Sequence, residues 1–108
     1  MNAITELNAL IPTIVKEFEK SVLEELRYED YGDFDFCYSD ENWDINVEYT
    51  CDGEIEEEAS TYDYQGYREV VGWEGNLKRI FATYKDEYEL SDEELKSLIE
   101  ALDKVLEV

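Results

Sequence analysis

The sequence predicts an α+β fold. It comprises an N-terminal helix, a three- to four-stranded antiparallel β-meander, and one or two C-terminal helices packed on one sheet face. Three observations point there. Apolar residues recur at three- and four-residue steps near both ends of the chain. Between them, residues 33–61, DFDFCYSDENWDINVEYTCDGEIEEEAST, alternate with the two-residue period of half-buried strands. The chain has 108 residues, 44% of them hydrophobic, and shows no repeat, low-complexity tract or linker, which fits a single domain, 1–108, with one modest core.

The first helix is expected over residues 3–28. Ile4, Leu7, Ile11, Ile14, Val15, Phe18, Val22 and Leu26 form its apolar stripe, with Glu17, Glu19, Lys20, Glu24 and Glu25 opposite. Pro12 removes one amide from the helix ladder, which predicts a kink or a later start. Residues 29–32 connect the helix to the sheet. Phe34, Phe36 and Tyr38 then alternate with Asp33, Asp35 and Cys37. After a polar turn at Ser39–Asn42, Trp43, Ile45, Val47 and Tyr49 alternate with Asp44, Asn46, Glu48 and Thr50. A four-residue turn sets Tyr38 opposite Trp43, Phe36 opposite Ile45 and Phe34 opposite Val47, so the apolar sets share a face.

A second turn is expected at Cys51-Asp52-Gly53, with Gly53 left-handed and a bulge. This puts Ile55, Glu57, Ala59 and Thr61 of a third strand on the apolar face. Tyr67–Trp73 suggests a fourth strand. Leu77, Ile80, Phe81 and Tyr84 sit at helical spacing, with Asn76 as a cap. The last helix opens on Ser91-Asp92-Glu93-Glu94, a capping box with Ser three residues before Glu. Leu95, Leu98, Ile99, Leu102, Val105 and Leu106 are its stripe.

Charge carries the functional expectation. The formal net charge is −21, well beyond what solubility needs in a small domain. Such self-repulsion destabilises a compact chain and disfavours direct contact with nucleic acid or an anionic membrane. It favours a basic partner, or a cation. The outer sheet face collects Asp33, Asp35, Asp44, Glu48, Glu54, Glu56 and Glu58, with Asp33, Glu48 and Glu56 expected in one row across three strands. No Lys or Arg occurs between Arg27 and Arg68 to relieve them. A solvated face that discourages edge-to-edge pairing accounts for some of this charge, but alternating signs would serve that purpose as well.

These residues suggest an acidic inhibitor that occludes the DNA- or RNA-binding surface of a basic protein, presenting carboxylates where that protein expects phosphates. In size and charge the chain resembles phage-encoded DNA-mimic inhibitors, anti-restriction and anti-CRISPR proteins among them, although no motif carries the likeness. The likeness implies a phage or mobile-element protein. An alternative is an immunity protein neutralising a basic nuclease toxin, with Tyr64 and Trp73, beside Tyr62 and Tyr67, as the aromatic anchor. A third is a structural or regulatory domain that homodimerises through residues 62–75.

No enzyme is expected. The chain has no His, which removes His-based triads, His zinc ligands and His acid–base chemistry. Glu57, placed among apolar neighbours, is the one carboxyl whose pKa would rise on burial, unless it pairs with Arg68, Lys78 or Arg79. Cys37 and Cys51 fall on opposite faces, beyond disulfide geometry, and read as free thiols of a reducing compartment. Counting an EF-hand loop back from Glu94 places Thr83 first and Tyr88 sixth, where Asp and Gly are needed, so no metal or cofactor is expected. The N-terminus makes a poor signal peptide and no apolar run is long enough to span a bilayer, so a cytoplasmic protein is expected.

Overall fold

A computed structural model describes residues 3–58 and 66–107. Helix α1 spans Ala3–Leu26. Strands β1 (Tyr31–Ser39), β2 (Trp43–Glu58), β3 (Tyr67–Tyr84) and β4 (Tyr88–Glu89) form one antiparallel sheet in the order β1-β2-β3-β4. Helix α2 spans Lys96–Leu106. The α+β class and its element order are as the sequence predicts. No described helix is long and apolar enough to cross a membrane.

Both helices cover the same sheet face. The apolar stripe of α1 buries Leu7, Ile14, Phe18, Val22 and Leu26 against Phe36, Ile45, Val47 and Tyr49, and α2 adds Leu98, Leu102, Val105 and Leu106. Phe18 is the aromatic hinge of this layer, edge-on to Phe36 at 5.3 Å and to Tyr49 at 5.0 Å between ring centroids. Such edge-to-face pairs add about 1 kcal/mol each beyond area burial. Burial pushes the Tyr49 hydroxyl up to about 12. Pro12 lies within α1 on its exposed flank, so the helix does not start late.

The first hairpin has its expected faces but a different register. Tyr38 pairs with Ile45, Phe36 with Val47 and Phe34 with Tyr49. This is a shift of two residues, which leaves every side chain on its expected face. Asp40 causes it. Its carboxylate accepts the Asn42 and Trp43 amides, each at 2.8 Å, and the Asp40 amide donates to the Trp43 carbonyl at 3.0 Å. The connection tightens to Glu41-Asn42 and the strands extend to meet it.

The larger correction lies at Cys51-Asp52-Gly53. There is no turn: β2 runs unbroken from Trp43 to Glu58, and no glycine has a positive φ. Gly53 is small for packing reasons. A Cβ there would meet Leu26 and Ile55 at 3.1 Å, and the Gly53 amide donates to the Asp30 carbonyl at 2.8 Å. The expected third strand, as far as Glu58, becomes the distal half of β2, with Ala59 and Thr61 outside the described residues, and the expected fourth becomes the start of β3.

The helix expected from Leu77 to Tyr84 is also strand. The β2–β3 register slips at Glu48/Tyr49 and again at Glu54/Ile55, leaving Lys78 and Val71 as extra residues on β3. A bulge of one residue carries the following side chain back to the same face. Leu77 and Ile80, three apart, therefore both point to the core, and bulged strand imitates helical spacing. Beyond β3, Lys85 and Asp86 take positive φ values of 53° and 58° to turn the chain into β4.

The reciprocal Ser91–Glu94 bonds of the capping box form, but ahead of the helix they were expected to open: α2 begins at Lys96, and its N-cap, Leu95, has no side-chain cap. The Ser91 amide donates to Glu94 Oε1 at 3.0 Å and the Glu94 amide to Ser91 Oγ at 3.3 Å. The Ser91 amide, with the Tyr88 hydroxyl, holds the Glu94 carboxyl below the usual glutamate range. Its contribution to folding is thus present above that range and lost as pH falls through the lowered value.

Candidate functional site

The sheet outruns its helices. The molecule measures 61 × 24 × 19 Å with a radius of gyration of 16.6 Å, against ~13 Å for a compact chain of this length. Past Gly53, among the described elements, only β2 and β3 continue, as a two-stranded arm. Arg68 ties this arm to the body. Its guanidinium donates to the Leu26 and Arg27 carbonyls at the end of α1, at 3.0 and 2.9 Å, and pairs with Asp30 at 2.7 Å and Glu57 at 3.4 Å. Glu57 is thus exposed and ion-paired at the arm, outside the apolar core, and gives no support to a catalytic role.

The face away from the helices is the candidate site. Strand alternation places Asp33 and Asp35 of β1 there, with Asp44, Glu48, Asp52, Glu54, Glu56 and Glu58 of β2, all exposed. From β3, the register adds Glu69 opposite Glu56 and Glu74 opposite Asp52. Every carboxylate expected on this face is on it. The expected row is not: Asp33 lies across from Thr50, Asp35 is the residue across from Glu48, and Glu56 is eight residues farther along the same strand as Glu48, about 27 Å away.

Sequence reasoning missed Asp52, Glu69 and Glu74. Asp52 was hidden by the expected turn, and the glutamates by the irregular reading of 62–75. The signal for Asp52 was present, since alternation continues through 51–53 without a break.

Nor is the lattice wholly without counter-charge. The bulge turns Lys78 towards Asp33, with Nζ–Oδ1 at 3.6 Å, and Arg79 stands across from Glu48, with Nε–Oε2 at 3.9 Å. All four side chains are about half exposed or more, so each pair contributes little. Asp52/Glu74 and Glu56/Glu69 have no cation across from them among the described ion pairs. Like charges about 5 Å apart cost about 0.8 kcal/mol per pair even at the dielectric of water. Near the middle of the face, Tyr31, Asp33, Thr50, Asp52, Glu74 and Asn76 surround an open depression of about 400 Å³. No group of three or more described His, Cys, Asp or Glu residues is arranged to hold a metal ion.

Of the aromatic anchor expected at 62–75, only Tyr67 and Trp73 fall among the described residues. Tyr64, with Tyr62, lies outside the described residues. Trp73 is half-buried on the core side, and its indole N–H donates to the Val105 carbonyl near the end of α2 at 2.8 Å. The most exposed aromatics among the described residues are Tyr28 and Tyr31, 86% and 71% exposed, where α1 hands over to β1.

Both cysteines are free thiols. Cys51 is buried, which pushes its thiol up to about 11, whereas Cys37 is exposed on the acidic face. Iodoacetamide at neutral pH is therefore expected to add one label, on Cys37, to the native protein and two after unfolding, as read by mass spectrometry. Native labelling of Cys51 would contradict the core as described.

Comparison with protein-family models, with curated proteins and with solved structures returned no match.

Proposed function

We propose that the acidic sheet face docks onto a basic, nucleic-acid-binding protein surface and blocks it, in the manner of a nucleic-acid mimic. The protein acts by occupancy and has no catalytic role. The observation that carries this reading is an exposed face holding ten carboxylates, Asp33 through Glu74, against two bases, Lys78 and Arg79. The face carries a net −8, ten carboxylates less two bases, or one net charge per about 8 Å of the 61 Å length, sparser than the ~3.4 Å of one strand of duplex DNA. A protein that holds nucleic acid through Lys and Arg meets the same sign of charge here at a lower density.

Changing Glu48, Glu56 and Glu58 together to Gln tests the reading. In capture from a nuclease-treated lysate at low salt, the native protein is expected to retain basic nucleic-acid-binding proteins that added duplex DNA displaces. The triple variant is expected to retain at least tenfold less, and at equal or higher folding stability because repulsion is removed. Equal retention by a folded variant would sink the proposal.

Tyr28 and Tyr31 favour a second reading, an immunity protein on a basic nuclease toxin. Exposed tyrosines beside a carboxylate patch suit a compact anchor. In that case Tyr31→Ala costs more affinity for the captured nuclease than neutralising any single carboxylate; a smaller cost removes this reading.

A further inference from the structure

The two long edges of the sheet are built differently. The outer edge of β3 is protected: bulges at Val71 and Lys78 break its line, Lys78 and Arg79 place bases along it, and β4 pairs with its end at Thr83 and Tyr84. These are the devices by which sheets avoid unwanted pairing. The outer edge of β1 has none of them. Its nine residues pair with β2 in continuous register, without a bulge, and include no Pro, Lys or Arg.

The backbone groups this edge offers follow from the ends of the β1–β2 ladder. The Asp40 amide bonds to Trp43 and the Gly53 amide to Asp30, so the even-numbered residues of β1 bond inward. The N–H and C=O groups of Asp33, Asp35 and Cys37 therefore point out of the sheet, and no hydrogen bond to them occurs among the described residues. The residues with free backbone groups are the same ones whose side chains stand on the acidic face.

Beside this edge runs a groove of about 260 Å³ between β1 and α1, with Glu17, Lys20, Ser21 and Glu24 on the helix side and Asp35 and Cys37 on the strand side. A strand added here would have carboxylates on both flanks. A second copy of this chain fits poorly. Antiparallel pairing of two β1 edges sets Asp35 against Asp35, or Asp33 against Asp35, in registers near the strand centre, and like charges directly opposite are destabilising.

We infer that the β1 edge takes up an extended basic strand of the partner protein, pairing backbone to backbone with Asp33, Asp35 and Cys37 while lysines or arginines at alternate positions meet the two aspartates. This is strand addition at a sheet edge, in which main-chain bonds supply affinity and alternate side chains supply selectivity. It rests on the acidic-face reading and adds where on that face the partner is gripped and in what conformation.

The probe is an eight-residue peptide of alternating Lys and Val with blocked ends, in two further forms methylated on the backbone nitrogens of either its lysines or its valines. Residues facing Asp33 and Asp35 share their face and point their amides at β1, so the lysine amides make the bonds. On saturation with the unmodified peptide, exchange of the Asp33, Asp35 and Cys37 amide hydrogens is expected to slow at least tenfold. The lysine-methylated form is expected to bind at least tenfold more weakly than the valine-methylated form. If both methylated forms bind alike, or protection appears elsewhere, edge pairing is wrong while the acidic-face reading stands. If the unmodified peptide does not bind at low salt, edge pairing is likewise overturned, and the Gln triple variant then judges the acidic-face reading alone. A concentration-dependent dimer that protects the same three amides would overturn the choice of a basic partner strand in favour of a second copy.

Discussion

Gly75→Ala is expected to lower folding stability by about 3 kcal/mol, within the upper range for single substitutions that strain a backbone. In a domain of this size that shifts Tm by about 12–24 °C. Gly75 pairs with Cys51 across the β2–β3 ladder. A Cβ built on it would run into the Thr50 carbonyl oxygen, and would stand 3.1 Å from the Cys51 Cα. Both obstacles are backbone, so no side-chain rotation relieves the clash. The strands must separate, at the point where Tyr49 and Cys51 seal the core. Glycine inside a strand often marks such close approach. Urea unfolding checks the prediction. A Gly72→Ala control, where the only neighbour within 4 Å among the described residues is the flexible Glu54 carboxylate at 3.3 Å, is expected to be much milder. Equal effects at the two positions would count against the close approach at Gly75.

Arg68→Ala is expected to cost about 2 kcal/mol, the scale of hydrogen bonds to a charged group, and to loosen the arm more than the body. Two of the bonds it removes serve the Leu26 and Arg27 carbonyls, which face the weakly satisfied end of α1. The ion pairs to Asp30 and Glu57 add less, since both carboxylates are well exposed. Amide exchange in residues 54–58 and 67–72 is expected to quicken about 30-fold, the equivalent of 2 kcal/mol in local opening, while β1 and the buried half of β2 change less. Arg68→Lys is expected to recover little, because a single ammonium cannot reach the four acceptors that the guanidinium's fork geometry spans. Full recovery by Lys would reduce the role of Arg68 to charge alone. The arm carries Glu54, Glu56, Glu58 and Glu69, so this residue also fixes how far the acidic face extends as one rigid surface.

Periodicity made much of this architecture legible. The stripes of α1 and α2, the capping box at Ser91 and Glu94, and the two faces of residues 33–58 follow from spacing alone. Faces were easier to read than partners, because a two-residue slip such as that at Asp40 leaves the pattern untouched. The failures share one origin. Gly53 and Asp52 have turn chemistry, but Gly53 serves packing beneath Leu26 and Asp52 stands on the acidic face, and the extra residue Lys78 converts a strand period into a helical one at Leu77, Ile80 and Tyr84. Bulges and close approaches depend on what lies across the sheet, and local sequence carries no record of that. The carboxylates of the candidate site were legible because alternation alone places them. The opposing bases Lys78 and Arg79 were not, because their position depends on a bulge.

The long β2–β3 ladder also sets an order of events for the chain as it folds. Glu58 and Tyr67 are nine residues apart, whereas Trp43 and Tyr84 are forty-one apart. Bringing together the wider pair costs about 1.3 kcal/mol more in chain entropy, yet that end holds the buried contacts and the near end does not. The cheapest contacts to form are therefore the ones that hold least. A nucleus must bridge the expensive separation before burial rewards it, which places this domain among the slower folders for its length.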